Sequence, residues 1–324
     1  MNATNSDVQM EKKKFELYEH PWLSLLAVMV TSVFSIGLSG TVIFGLMGLP
    51  DTSPTVQFAQ AMSYHILTIF FFVPFVLRLP KGKRTFTQYL DDIGLTRIQP
   101  FVRLVLLALS CYVILALSQA AASFVYRLSE GLPINGNFVR QVFDLSRDLP
   151  PSSPSLLISF PSIFEEVGFR GIVLTVFLGK YSERKAIIFS SLGFGLMHLL
   201  NLTNGLEPVW VMGQIVWAFI LGLFYGYLFV RTRSLLPLMI FHYLGNVFIS
   251  SLTGYMQTRA SIEVQALYGV ILSLGIVPVT LMILRTRYFT SRWLPGSDAR
   301  RLQDMEEAAH LQPAVYGGTK NSNA

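Results

Sequence analysis

Long uncharged runs alternate with short charged connectors along this chain. Seven runs carry no Asp, Glu, Lys or Arg: 21–50, 55–77, 104–126, 186–206, 208–230, 234–258 and 264–284. About 20 apolar residues suffice to cross a hydrocarbon core of about 30 Å. The runs are continuous and lack the alternation of a membrane barrel strand, so helices are the spanning form. An eighth candidate, 149–179, is equally apolar except for Glu165, Glu166 and Arg170. The pattern predicts an all-α, polytopic membrane helix bundle of about eight transmembrane helices.

Composition agrees with that pattern. Of 324 residues, 52% are hydrophobic and 14% are charged, against about 25% charged in a soluble domain. The net charge of +6 follows from where the basic residues sit. Read with eight spans, 20 of the 25 Lys and Arg residues fall on one side and four on the other, with Arg170 inside a span. Basic loops stay in the cytoplasm, which places both termini there and gives no reason to expect nucleic acid. The single cysteine, Cys111, excludes an intrachain disulfide and a cysteine metal site.

The division expected is a cytoplasmic segment at 1–20, a transmembrane catalytic domain at 21–285 and a disordered cytoplasmic tail at 286–324, with a short helix near 298–311. The first span follows "EKKK" but is too long for a signal peptide and shows no clear cleavage site, so it reads as a retained anchor. Phe138, Val142, Leu145 and Leu149 recur at helical spacing. The segment 135–149 is therefore a short surface helix or an ordinary loop. "GLFYG", Gly222 to Gly226, is a small-xxx-small pattern suited to close helix contact.

The chemistry lies in polar groups placed inside spans, where each charge is costly and marks a functional candidate. "EEVGFR" brings Glu165, Glu166 and Arg170, "FGLMH" brings Phe194 and His198, and "HYLGN" brings His242 and Asn246. Glu166 and Arg170 stand four residues apart and can neutralise each other along one helix face. Glu165 points about 100° away and is the carboxylate left for chemistry. A neutral histidine can hold a water for a general base. Asn246 and a second histidine can donate hydrogen bonds to an oxyanion. Those are the parts needed to hydrolyse an amide by direct attack of water. His65 has no polar neighbour at helical spacing and is read as structural or solvated.

The three motifs together resemble the CAAX prenyl protease and bacteriocin-processing family, also called CPBP or Abi, whose pattern is EExxxR, FxxxH and HxxxN on separate spans. The likeness covers about 155–250. It implies an intramembrane endopeptidase in which Glu165 and His198 hold and activate water and His242 and Asn246 form the oxyanion site. Glu166, Arg170 and Phe194 then support the site. No HExxH is present, so a metal-free, glutamate-type mechanism without a cofactor is expected. The alternative is a zinc metalloprotease with Glu165, His198 and His242 as ligands. Two other functions compete: an immunity or scaffold protein that does not cleave, and a proton-coupled transporter. Expected partners are the lipid bilayer and a membrane-associated peptide or protein substrate. No oligomeric state is implied. The sequence shows no targeting or retrieval signal, so the expected location is the bacterial inner membrane.

Overall fold

The computed structural model describes residues 19–49, 54–76, 85–144, 156, 159–248, 255 and 259–285. The charged N-terminal segment, the basic residues 78–84, most of 145–158 and the tail from 286 with its expected helix lie outside the described residues. Among the described residues every regular element is a helix.

The uncharged runs become helices for the reason that makes them span: each satisfies its own backbone groups. Helix α1 (Pro21–Gly40) runs on as a π-helix over Thr41–Leu46. Helix α2 (Pro54–Ile66) continues through a π-helix at Leu67–Phe72 and a last turn at Val73–Val76. Helix α3 (Phe86–Asp92) is short and polar, and begins with a reciprocal cap between Thr85 and Gln88. Helix α4 (Phe101–Ser129) is the longest. Helix α5 (Gly136–Val142) starts at the Asn135 side-chain cap. It settles the two readings of 135–149 in favour of a helix over those residues, with Phe138 and Val142 buried against Ala120 and Tyr255.

Helix α6 (Ser162–Glu166) passes into a π-helix over Val167–Val173 and ends at Leu174–Leu178. Helix α7 (Glu183–Met197) tightens into a 3-10 helix over His198–Asn204. Helices α8 (Pro208–Thr232), α9 (Leu236–Val247) and α10 (Ile262–Arg285) complete the bundle. Prolines open α1 and α8, where a missing N–H costs nothing.

Among the described residues, five helices are long and apolar enough to cross a membrane, and Leu236–Val247 and Ile262–Leu274 are shorter apolar stretches. Large apolar side chains such as Phe34, Phe71, Phe75 and Val102 stand exposed on the outside of the bundle. Such a surface suits lipid and not water. The chain is an integral membrane protein.

Helices α7 and α8 approach closely through glycine. A Cβ on Gly222 would lie 3.0 Å from Cβ of Ser191, and one on Gly226 would lie 3.0 Å from Ile187. The "GLFYG" pattern is thus a contact face. Gly195 of α7 is tighter still, with the carbonyl oxygen of Ile215 only 2.8 Å from where its Cβ would stand.

Contacts between elements sort the helix ends. Trp22 at the start of α1 donates to the Tyr181 hydroxyl beyond α6 (3.2 Å), and Arg231 near the end of α8 lies 3.6 Å from Glu183 at the start of α7. The Leu235 N–H donates to the Gly94 carbonyl after α3 (3.1 Å). At the opposite end, Arg127 donates to the Tyr255 hydroxyl (2.9 Å), which donates to Glu130 (2.9 Å).

Candidate active site

Helix α6 carries three ionisable groups within one and a half turns. Ser162 opens it by donating to the Ser159 carbonyl (2.7 Å), and Glu165 falls in its first turn, near the positive end of the helix dipole. The π-helical stretch that follows is a wider turn of a kind often found at functional sites.

Glu166 and Arg170 are almost wholly shielded, at 0% and 1% side-chain exposure, so their charges must be met by the protein. Arg170 Nη1 donates to Glu166 Oε1 (3.2 Å). The same oxygen lies 2.7 Å from His242 Nδ1 on α9. The Arg170 guanidinium sits over the Phe194 ring at 4.1 Å and the Tyr225 ring at 4.9 Å, a cation–π sandwich in a dry setting. Tyr225 in turn stacks on His242, with centroids 5.4 Å apart and planes at 27°. Phe194 stands edge-on between the histidines, 5.2 Å from His198 and 6.3 Å from His242. One packed unit therefore links α6, α7, α8 and α9. Glu166 Oε2 and Arg170 Nη2 remain buried without hydrogen-bond partners.

His198 is held differently. Its Nδ1 lies 3.0 Å from the Phe194 carbonyl. A carbonyl only accepts, so Nδ1 carries the proton, and in the neutral ring Nε2 is left as an acceptor. Facing the carboxylate that pairs with Arg170, His242 Nδ1 is the donor. Its Nε2 then donates only when the ring holds both protons.

Glu165 and His198 line one cavity of about 440 Å³, together with Phe169 and Phe194. Helix α2 and its π-helical continuation add Tyr64, His65 and Thr68 to the lining. His65 is 8% exposed, and its ring stacks on Phe164, with centroids 5.4 Å apart and planes at 17°. His65 Nε2 and Thr68 Oγ1 are buried without hydrogen-bond partners. Spacing along α2 holds no signal for this placement, because Phe164, on which the ring stacks, comes from α6. His242 and Asn246 do not line the cavity. His242 is turned to Glu166, and Asn246, one turn further along α9, is exposed.

Glu165, His198 and His242 are not grouped as metal ligands in this arrangement. Among the described residues no three His, Cys, Asp or Glu side chains group closely enough to hold a metal ion.

Residues 153–248 match the family model described as type II CAAX prenyl endopeptidase, Rce1-like. That segment contains all three motifs and nearly coincides with the stretch that the motifs delimit. No curated protein matches the chain. The matched segment is similar to a CAAX-type prenyl endopeptidase.

Proposed function

We propose that this chain with an Rce1-like segment hydrolyses a peptide bond of a membrane-associated or lipidated protein, using a water activated between Glu165 and His198. One observation carries the reading: Glu165 and His198 line the same cavity, and the Phe194 carbonyl orients His198 so that Nε2 accepts. Nε2 receives a hydrogen bond from the water while Glu165 takes its proton. The water oxygen attacks the scissile carbonyl carbon and the carbonyl oxygen becomes an oxyanion. To that oxyanion we assign the groups that the motif resemblance implies, the Asn246 amide and His242 with both ring nitrogens protonated; both lie on α9 outside the cavity lining, so the assignment requires α9 to turn towards the cavity when substrate binds. The proton held by Glu165 passes to the leaving nitrogen as the C–N bond breaks, and the carboxylate is restored.

Glu166 then does more than neutralise Arg170. Its carboxylate sets the orientation of the His242 ring, and Arg170 holds that carboxylate in place. No step in this scheme passes through a metal.

The test is Glu165→Gln in purified, detergent-solubilised protein, assayed with an internally quenched farnesylated CAAX-type peptide. Cleavage is expected to fall at least a hundredfold while the protein stays monodisperse and its thermal transition is retained. Undiminished cleavage would remove Glu165 from the mechanism. Absence of cleavage by the unaltered chain, with the peptide still bound, would favour a family member that does not cleave.

A further inference from the structure

Two parts of the chain line the cavity. Helices α6, α7 and α8 lie within the matched residues 153–248 and bring Glu165 and His198. Helix α1 and helix α2 with its continuation precede that segment and add Ser32, Gln60, Tyr64, His65 and Thr68 as polar members. Ser32 donates to the Val28 carbonyl (2.8 Å) and Gln60 Nε2 to Ser39 Oγ (3.4 Å). His65 Nε2 and Thr68 Oγ1 have no hydrogen-bond partner among the described residues, and the two residues are 8% and 5% exposed.

The unmet hydroxyl of Thr68 departs from the pattern of this chain. Thr31, Ser35, Ser63 and Ser110 each donate to the carbonyl four residues back, at 2.7 or 2.8 Å, the local bond by which a helix takes up such a hydroxyl. Thr68 makes no such bond. His65 and Thr68 stand in the middle of the apolar span Thr55–Phe75, where lipid offers no partner. A buried polar atom is costly until something bonds to it. Three residues apart, the two share one helix face. They also stand beside the turn that bears Glu165, since His65 stacks on Phe164. Both π-helical stretches contribute to the lining, one through Thr68 and Ile69, the other through Gly168 and Phe169. Such turns recur at functional sites.

The chemistry of the pair says what fits. A hydroxyl donates one hydrogen bond and accepts others, and Nε2 of a neutral imidazole does one or the other according to its tautomer. Together they match the C=O and N–H of a peptide backbone. Among the described lining residues none is Lys or Arg, and Glu165 is the one acid. A carboxylate is therefore disfavoured there, and a neutral peptide group is not. At about 440 Å³ the cavity has far more room than one water needs.

We propose that His65 and Thr68 form a substrate subsite that hydrogen-bonds a neutral backbone peptide group next to the scissile bond. The occupant rests on the protease reading. Helix α2 thus takes part in placing the substrate, although it lies outside the matched segment.

Binding measured apart from cleavage tests the subsite. The quenched farnesylated peptide is titrated onto full-length Glu165→Gln protein in detergent, alone and with Thr68→Val, Thr68→Ser or His65→Phe added. The Kd is expected to rise at least fivefold with Thr68→Val and with His65→Phe, and to stay within twofold with Thr68→Ser, which keeps the hydroxyl. With Glu165 intact, Thr68→Val and His65→Phe are expected to raise KM by a similar factor and to leave kcat within twofold. An unchanged Kd for either substitution overturns the proposal, and assigns that group to an enclosed water. Equal weakening by Thr68→Val and Thr68→Ser assigns Thr68 to packing and overturns it too, as does failure of the peptide to bind the Glu165→Gln protein. A second arm replaces the amides beside the scissile bond with esters, one at a time. One ester is expected to weaken binding at least threefold, and to have no effect once Thr68→Val is present. Ester effects that persist in both Thr68→Val and His65→Phe overturn the peptide-group assignment. The expected binding pattern without cleavage by the unaltered chain supports the subsite and counts against the protease reading.

Discussion

His242 Nδ1 on α9 lies 2.7 Å from Oε1 of Glu166 on α6, and that oxygen also receives Arg170 Nη1. One carboxylate oxygen thus joins a buried arginine to a histidine assigned to the chemistry. The pair gives Glu166 two separable duties, holding a charge and holding a ring.

Glu166→Gln or Arg170→Met alone leaves the other charge buried and poorly matched, a loss of about 3–5 kcal/mol. The double variant removes both charges and is expected to recover most of that stability. Its cleavage rate is expected to stay low, because His242 no longer faces a carboxylate. Thermal unfolding and kcat measured on all three variants separate the duties. A double variant that is both stable and fully active would leave Glu166 with no positioning role.

Arg170→Lys is expected to fail as a substitute. The planar guanidinium lies 4.1 Å from the Phe194 ring and 4.9 Å from the Tyr225 ring, and an ammonium point charge does not fill that sandwich. Yield and thermal midpoint should fall below those of the unaltered protein. An unchanged midpoint would contradict the packing role.

Gly195→Val tests the closeness of α7 and α8. The new Cβ would meet the Ile215 carbonyl oxygen at 2.8 Å, and backbone in a packed helix cannot swing aside. A cost of about 1–3 kcal/mol is typical of overpacking. Because His198 lies one turn along the same helix, kcat should fall with it. Full activity at normal stability would show that α7 and α8 have room to separate.

His65→Phe keeps a ring to stack on Phe164 and removes a buried nitrogen that has no protein partner. Such a group costs about 1–3 kcal/mol when left unmet, so thermal stability is expected to hold or rise. The KM for the quenched peptide is expected to rise severalfold with little change in kcat, since His65 lines the same cavity as Glu165. A lower thermal midpoint would assign His65 to packing instead.

Exhaustive chelation followed by elemental analysis tests the absence of a metal step. Cleavage is expected to persist in protein stripped of zinc. Stoichiometric zinc whose removal abolishes cleavage, and whose return restores it, would overturn the glutamate-type scheme.

Much of the bundle was legible along the chain. Uncharged runs of spanning length predict helices because lipid leaves the backbone no other partner. The four-residue spacing of Glu166 and Arg170 is a local relation, set by one helix, and the two side chains meet. The glycines at 222 and 226 announced a close approach, and Ser191 and Ile187 fill it.

Other relations had no local signal. The π-helical stretch at Val167–Val173, the hold of Glu166 on His242, the place of His65 in the cavity wall and the exposure of Asn246 all depend on how separate helices are rotated and tilted. In a water-soluble helix the apolar stripe reveals the buried face. A membrane helix is apolar towards lipid and towards its neighbours alike, so periodicity does not say which side faces inward. The sequence by itself determined a membrane helix bundle and the three spans that carry the polar groups of the three motifs, because charge in hydrocarbon is expensive wherever it points. Only the tertiary structure decided which oxygen meets which nitrogen, because those contacts are made between helices.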